Sequence, residues 1–387
     1  MADAGTGAAT TAGRGLEGIV VAESELSLVD GTNGRLYYRG YSIHDLVQSA
    51  SFEEVLHLLW YGELPTRAEL DELNAKLVAA RVLSPSVMEA LRVLPRGGEP
   101  IDALRVAVTV MGMEDADAFN LSRDALLERS IKLTGAMATM LAAFDRLRHG
   151  QEPVDPDPSL GHAANFLYML RGERASELQE RAMDAYLVLL AEHSMNASTF
   201  SARVTLSALS DIYSAVSSAL GTLKGDAHGG ANRRAMEMLL AIGSADNAES
   251  YVEESLRIKR RLMGMGHRIY KTRDPRVDHL MGYSEKVAAE KGDTTWHELA
   301  VRLEQITSNH PYFLERKLFP NVEFYSAPLL YSLLGETDLM PAVFGISRIG
   351  GWTANLLEQA AANRIIRPQA AYVGPDPRPF VPMDQRG

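Results

Sequence analysis

The 387-residue sequence contains no cysteine. That excludes disulfides, thiolate catalysis and cysteine-ligated metals, and suits a reducing cytoplasm. No stretch is long and apolar enough to cross a bilayer. Positive charge is in deficit: 39 Lys and Arg stand against 50 Asp and Glu, a formal net charge of -11. Non-specific binding to nucleic acid is therefore not expected, and an anionic ligand would need a strong local concentration of cations. There is no βαβ alternation and no fixed repeat. The phosphate-cradling Gly-Lys-Ser/Thr motif is missing, and Gly264-x-Gly266 lacks the third glycine and the preceding strand of a dinucleotide loop. The histidines that draw attention lie more than thirty residues apart, with no His-x-x-x-His pair, so no metal site is expected.

What is present is 46% apolar and 23% charged, ordinary for a soluble globular enzyme, and long enough for two lobes. Residues 1–15 are mostly Ala, Gly and Thr. They lack the basic start and apolar block of a signal peptide and read as a loose, disordered tail. Ile19–Val21 through Leu26–Leu28, then Leu36–Tyr38, reads as a hairpin around the turn Asp30-Gly31-Thr32-Asn33-Gly34. Everything after it has helical period. Helices are predicted at 52–60, 66–81, 101–113, 122–149, 160–171, 175–200 and 211–222. Others follow at 231–243, 248–263, 276–290, 296–309, 324–334, 339–349 and 352–366. The fold class is all-α. Gln151–Pro158, with three prolines and three acids, suggests a linker; Tyr372–Gly387, with four prolines, cannot be helix and should run extended over a surface or a partner chain.

Three histidine segments carry chemistry. His228 lies in Gly225-Asp226-Ala227-His228-Gly229-Gly230, a glycine-flanked loop between two helical patterns. The following helix offers unpaired N–H groups and a positive dipole end, which keep an imidazole neutral. A neutral His there can donate to a carbonyl oxygen becoming an enolate; a loop His satisfied by backbone fits the same residues. His267 sits in Gly264-Met265-Gly266-His267-Arg268-Ile269-Tyr270-Lys271, inside a run of cations from Arg257 to Arg276 opposed only by Asp274. Arg suits a planar carboxylate and Lys a phosphate. A solvated basic face is the ordinary reading of such a run, but a glycine turn and an Asp-Pro-Arg break interrupt the helix here. His193, with Asn196 and Ser198 after it, closes an apolar helix that begins near Ala185.

Taken together these segments resemble the citrate synthase family, in order and approximate spacing, over residues 15 to 374. The likeness rests on His228-Gly-Gly-Ala-Asn232, the Gly264–Arg276 segment and His193-x-x-Asn-Ala-Ser-Thr-Phe200. Asn321-Val322-Glu323-Phe324-Tyr325-Ser326, Ser347-Arg348 with Gly351-Trp352, and Ile365-Ile366-Arg367-Pro368 complete it. The type is similar to the short bacterial and archaeal dimeric enzymes. The resemblance implies a two-domain helical fold with a short N-terminal hairpin. Residues 16–224 and 327–387 would form a large domain, and 225–326 a small one closing over the active site. It implies a cytoplasmic homodimeric acyltransferase that condenses acetyl-CoA with oxaloacetate and hydrolyses citryl-CoA, with acetyl-CoA as co-substrate and no cofactor. His228 would hydrogen-bond the thioester oxygen, His267 would polarise the ketone, and Glu323 would stand in the place of the general base. His193, Asn196, Arg276 and Arg348 would hold oxaloacetate, with Arg367 reaching in from the partner subunit, and Arg268 and Lys271 would meet CoA.

Three positions depart from the family pattern. Glu323 replaces an Asp, Asn355 stands where relatives often carry His, and Asp226 where a Pro is usual. Glu323 moves the carboxylate by one methylene, about 1.5 Å, and misplacing a catalytic group by roughly 1 Å can cost about 10²-fold. Two further readings therefore accompany the first: a 2-methylcitrate synthase using propionyl-CoA, and a weakly catalytic protein that binds oxaloacetate or CoA.

Overall fold

Side-chain caps written into the sequence start most of the helices. In the computed structural model, which describes residues 14–16 and 18–386, Ser51 and Glu54 form a reciprocal capping box at Phe52–Tyr61, and Thr66 with Glu69 does the same at Arg67–Ala79. Ser122, Ser176, Asn196, Asp211 and Asn321 cap Arg123–Arg148, Glu177–Leu190, Ala197–Ser207, Ile212–Leu223 and Val322–Leu334. The described residues are 61% helical, with one small antiparallel sheet, so the all-α class holds. Of the expected 1–15 tail, residues 1–13 lie outside the described residues.

The hairpin is present but shorter at its start than the pattern suggests. Ser27–Asp30 pairs with Arg35–Tyr38, Ser27 facing Tyr38 and Asp30 facing Arg35, and Tyr41–Ser42 adds a third strand. Asp30 Oδ1 accepts the Thr32 and Asn33 N–H groups and sets that register. The chain then turns at Arg39 and Gly40, both at positive φ. Ile19–Val21 is left with no strand to oppose it.

Several predicted helix boundaries move. Residues 175–200 form two helices, Glu177–Leu190 and Ala197–Ser207, separated by an irregular segment in which Ser194 takes φ 51. Conversely, Met340–Ala361 is one helix that runs straight through Gly350-Gly351 and stops five residues short of the predicted end at 366. Those glycines permit close approach: a Cβ on Gly350 would lie 2.6 Å from Leu56 Cδ2, and one on Gly351 2.3 Å from the Ala191 carbonyl oxygen. The helix predicted over 248–263 ends at Arg257, and Ile43–Ser49, Pro85–Val93 and Pro311–Glu315 are additional.

The helices sort by contact. Arg123–Arg148, Ala197–Ser207 and Ile212–Leu223 pack with Met340–Ala361, while Ala231–Ile242, Val277–Lys291 and Thr295–Asn309 gather around Val322–Leu334. That last helix runs unbroken across residues 326 and 327 and ends at Gly335, φ 82. Gln151–Pro158 is irregular yet fastened down: Arg81 donates to the Asp157 and Leu160 carbonyls, and the Asp157 carboxylate accepts from Ser159 and Arg174. Residues 362–386 are exposed apart from half-buried Ile366 and, apart from a 3-10 turn at Met383–Gln385, irregular. Among the described residues no helix is long and apolar enough to cross a membrane.

Candidate active site

The irregular segment Ala191–Asn196 is held from three directions. The Tyr38 hydroxyl donates to the Glu192 carbonyl at 2.8 Å and lies 3.2 Å from the Glu192 N–H. Ser27 Oγ accepts the Ser194 N–H at 2.9 Å, and Gly351 N–H donates to the Ala191 carbonyl at 3.1 Å. This places His193, buried, with its Nε2 3.2 Å from the Tyr270 hydroxyl. Its ring centroid is 5.5 Å from that of His267.

His267 and Glu323 share one stapled piece of backbone. Asn321 donates its N–H to the Gly264 carbonyl at 2.9 Å and its Nδ2–H to the Gly266 carbonyl at 2.8 Å, while Gly266 N–H reaches the Phe319 carbonyl at 2.7 Å. Gly264 must be glycine: it has φ 77, and a Cβ there would sit 2.9 Å from Phe324 Cα. Asn321 Oδ1 also accepts the Glu323 N–H, so the same side chain starts the helix that carries the carboxylate.

The hydrogen bonds fix the tautomers of two imidazoles, in opposite senses. His267 Nδ1 accepts the N–H groups of Ile269 and Tyr270, both at 3.1 Å, so its proton resides on Nε2. His228 lies in the turn before Ala231–Ile242. Its Nε2 accepts the Ser198 N–H at 3.3 Å and lies 2.7 Å from Ser198 Oγ, which takes the Trp352 Nε1–H at 3.0 Å. Its proton is therefore on Nδ1. Burial, helped by Arg348, lowers His228 to about 4; burial and then Arg276 lower His267 to about 4. Burial holds His193 well below the usual histidine range as well, with Arg276 adding to the effect. All three imidazoles are neutral at pH 7.

The cations divide into paired and unpaired. Arg276 and Asp274 form a bidentate pair, Nε to Oδ1 at 2.9 Å and Nη2 to Oδ2 at 2.7 Å, with both side chains buried. Burial pushes against both charges, yet each partner outweighs it, so Asp274 sits below and Arg276 above its ordinary range. Arg348 is equally buried, but its guanidinium meets only the Leu190 carbonyl and the face of Phe344, and burial lowers it to about 10. Among the described residues no carboxylate lies within ion-pair distance of it, an arrangement that favours an incoming anion. Burial raises the Glu323 carboxyl above its ordinary value, with Arg276 pulling the other way.

Other predicted site residues are placed differently. Asn196 caps its helix by accepting the Thr199 N–H, and its Oδ1 lies 2.8 Å from Ser198 Oγ, so it supports His228 through Ser198. Arg268 and Lys271 are exposed beside His267, and Lys271 Nζ rests on the Arg268 carbonyl. Arg367 is exposed beyond the last α-helix and makes no hydrogen bond or ion pair among the described residues. The basic run is less naked than it reads, because Glu254 takes Arg257 while Glu304 and Asp278 take Arg273. Sequence reasoning assigned no role to Tyr38, Ser198, Tyr270 or Trp352. Ser198 and Tyr270 at least lie inside the histidine motifs, and Tyr38 ends the predicted second strand of the hairpin.

A family model described as citrate synthase, C-terminal domain, matches residues 15–369. A citrate synthase of Haloferax volcanii is 46% identical over 96% of this chain and 98% of its own. Citrate synthase 2 of Bacillus subtilis is 43% identical over 97% of this chain and 100% of its own. Among solved structures, citrate synthase from Thermoplasma acidophilum, in ternary complex with carboxymethyl coenzyme A and oxaloacetate, superposes with a TM-score of 0.92 at 32% identity, covering 96% of this chain and 99% of that one. With this site geometry and likeness along nearly its full length, the chain belongs to the citrate synthase family.

Proposed function

We propose that the site condenses acetyl-CoA with oxaloacetate and then hydrolyses citryl-CoA to citrate and CoA. The observation that carries this reading is the pair of neutral imidazoles with opposite fixed tautomers: two carbonyl oxygens gain charge in the reaction, and each meets its own N–H. Glu323 removes a methyl proton from the acetyl group while His228 Nδ1–H hydrogen-bonds the thioester oxygen. The resulting carbon nucleophile attacks the ketone carbon, His267 Nε2–H hydrogen-bonds the new alkoxide, and the proton taken up by Glu323 ends on that oxygen. Water then cleaves the thioester and CoA leaves. Arg276, held by Asp274, and Arg348 take carboxylate oxygens of oxaloacetate beside His193. Arg268 and Lys271 are exposed on the His267 loop, where they meet the phosphates of CoA.

The same reading makes the protein a cytoplasmic homodimer with shared sites, Arg367 being supplied to the neighbouring subunit, and it needs no resident cofactor. The exposure of Arg367 and the cysteine-free composition support these points. It also divides the chain into two lobes that close on substrate. The continuity of Val322–Leu334 and its packing with Ala231–Ile242, Val277–Lys291 and Thr295–Asn309 support keeping that whole helix with the smaller lobe.

The direct test incubates purified protein with acetyl-CoA and oxaloacetate and follows free CoA and citrate. Both should form in equal amounts, with negligible CoA release when oxaloacetate is omitted. Propionyl-CoA should turn over more slowly. Oxaloacetate binding without any CoA release would leave only a binding protein, and steady release without oxaloacetate would mean a thioesterase.

A further inference from the structure

His44 and His279 lie 235 residues apart in the chain, yet His44 Nδ1 and His279 Nε2 are 2.8 Å apart. The reaction above uses neither. His44 is exposed in the first turn of Ile43–Ser49; His279 is half-buried in the first turn of Val277–Lys291. At that separation the two lone pairs point at one place and share a single proton. Protonating both rings would set two cations against each other. Burial and the neighbouring His44 hold His279 below its ordinary range despite Asp278 beside it. His279 also sits in the first turn of Val277–Lys291, where the helix dipole disfavours an imidazolium. Neutral imidazoles with convergent lone pairs are metal ligands.

We propose that His44 and His279 form a two-histidine site for a divalent transition-metal ion of the Zn2+ or Ni2+ class, which replaces the shared proton and bridges the two helices. Two nitrogens on tetrahedral zinc, each at about 2.0–2.1 Å, are about 3.3 Å apart, so the rings need to separate by only about half an ångström. Imidazole selects zinc, nickel and copper, whereas calcium and magnesium demand oxygen ligands. Among the described residues no third His, Cys, Asp or Glu joins the pair as a group, so water completes the coordination. The overall charge of -11 raises the local concentration of divalent cations.

The site has a consequence that rests on the proposed reaction. Arg276 is the N-cap of the helix that carries His279, three residues before it. A bridging ion therefore fastens the first turn of the oxaloacetate-binding helix to the element that follows the N-terminal sheet. Turnover slows, because that helix must move for substrate to enter and product to leave.

Competition of the full-length protein with a chromophoric chelator for Zn2+ tests the site without reading catalysis. One ion per chain should bind. Outer partners of a metal ligand are alone worth about 10–100-fold in affinity, so His44→Gln and His279→Gln should each weaken binding at least tenfold, and the double variant should be no weaker than the weaker single one. No bound zinc in the parent, or unchanged affinity in either variant, overturns the site. Zinc should then inhibit CoA release by the parent and spare His44→Gln; equal sensitivity overturns the coupling to the Arg276 helix. A protein that binds zinc as expected but never releases CoA would sink the proposed reaction and leave the metal site standing.

Discussion

Gly351, in the middle of a buried helix, donates its backbone N–H to the carbonyl of Ala191 at 3.1 Å. A Cβ at that position would lie 2.3 Å from the same oxygen and 2.3 Å from Glu192 Oε2. Replacing a mid-helix glycine by alanine ordinarily stabilises by roughly 0.5–1 kcal/mol. Here the sign should reverse. Overpacking against fixed backbone costs about 1–3 kcal/mol, and the residues pushed aside are those that lead into His193. Gly351→Ala should lower the thermal midpoint and the rate of CoA release together. A raised midpoint would show that Ala191 yields easily and that the contact does not position the site.

The two buried arginines should behave in opposite ways when substrate is absent. Removing Arg276 leaves the Asp274 carboxylate buried and unpaired, a change that costs about 3–5 kcal/mol. Arg348 has no carboxylate partner to orphan, so Arg348→Met should keep or raise stability in chemical denaturation while Arg276→Met lowers it. Both should lose oxaloacetate, since a charge-assisted hydrogen bond to a buried carboxylate is worth about 1.5–3 kcal/mol, a rise of roughly tenfold to hundredfold in the apparent KM. Unchanged affinity in both variants would remove these residues from the site.

The chemistry of the site was more legible than its scaffold. His228, His267 and Arg276 announce themselves because glycine turns and a proline break interrupt helical patterns around them. The split at Ala191–Asn196 was hidden because its cause is remote: Tyr38, Ser27 and Gly351 take the backbone groups that a continuous helix would have used. Gly350-Gly351 misled in the other direction, since paired glycines read as a stop when their partners, Leu56 and Ala191, lie far off in sequence. Pro85–Val93 and Pro311–Glu315 each place proline in the first turn, where it is tolerated, and Ile43–Ser49 is too short for periodicity to show. The pairing of Asp274 with Arg276 is local, closing across the Asp-Pro-Arg break, whereas the solitude of Arg348 depends on tertiary placement and has no counterpart in local pattern.

Arg367 stands exposed beyond the end of its helix, next to Pro368. If it serves the neighbouring subunit, Arg367→Ala and His228→Ala homodimers should each be nearly inactive. Dimers re-formed from a mixture of the two should regain activity, because one of the two sites then takes His228 and Arg367 from chains that retain them. Mixed dimers that form but recover no activity would place both residues in a site built within one chain.

Glu323 is the sharpest test of the assignment. The proposed reaction needs its carboxyl ionised and the two imidazoles neutral. Burial raises Glu323 above its ordinary range, whereas His228 and His267 lie at about 4. As pH falls, Glu323 therefore takes up its proton first, and the acid limb of kcat should belong to that carboxyl, not to a histidine near 6.5. A positioned base contributes about 10²–10⁴-fold, so Glu323→Gln should lose most turnover and its acid limb while oxaloacetate affinity stays close to the parent value. Glu323→Asp keeps the charge but withdraws it by about 1.5 Å. Asn321 ties this helix start to the His267 loop through Gly264 and Gly266, so the backbone cannot follow the shorter side chain, and the rate should fall. A faster Asp variant would instead mark Glu323 as a detuned base. Full activity in Glu323→Gln would mean that another carboxylate removes the proton, and the mechanism would be wrong at its first step.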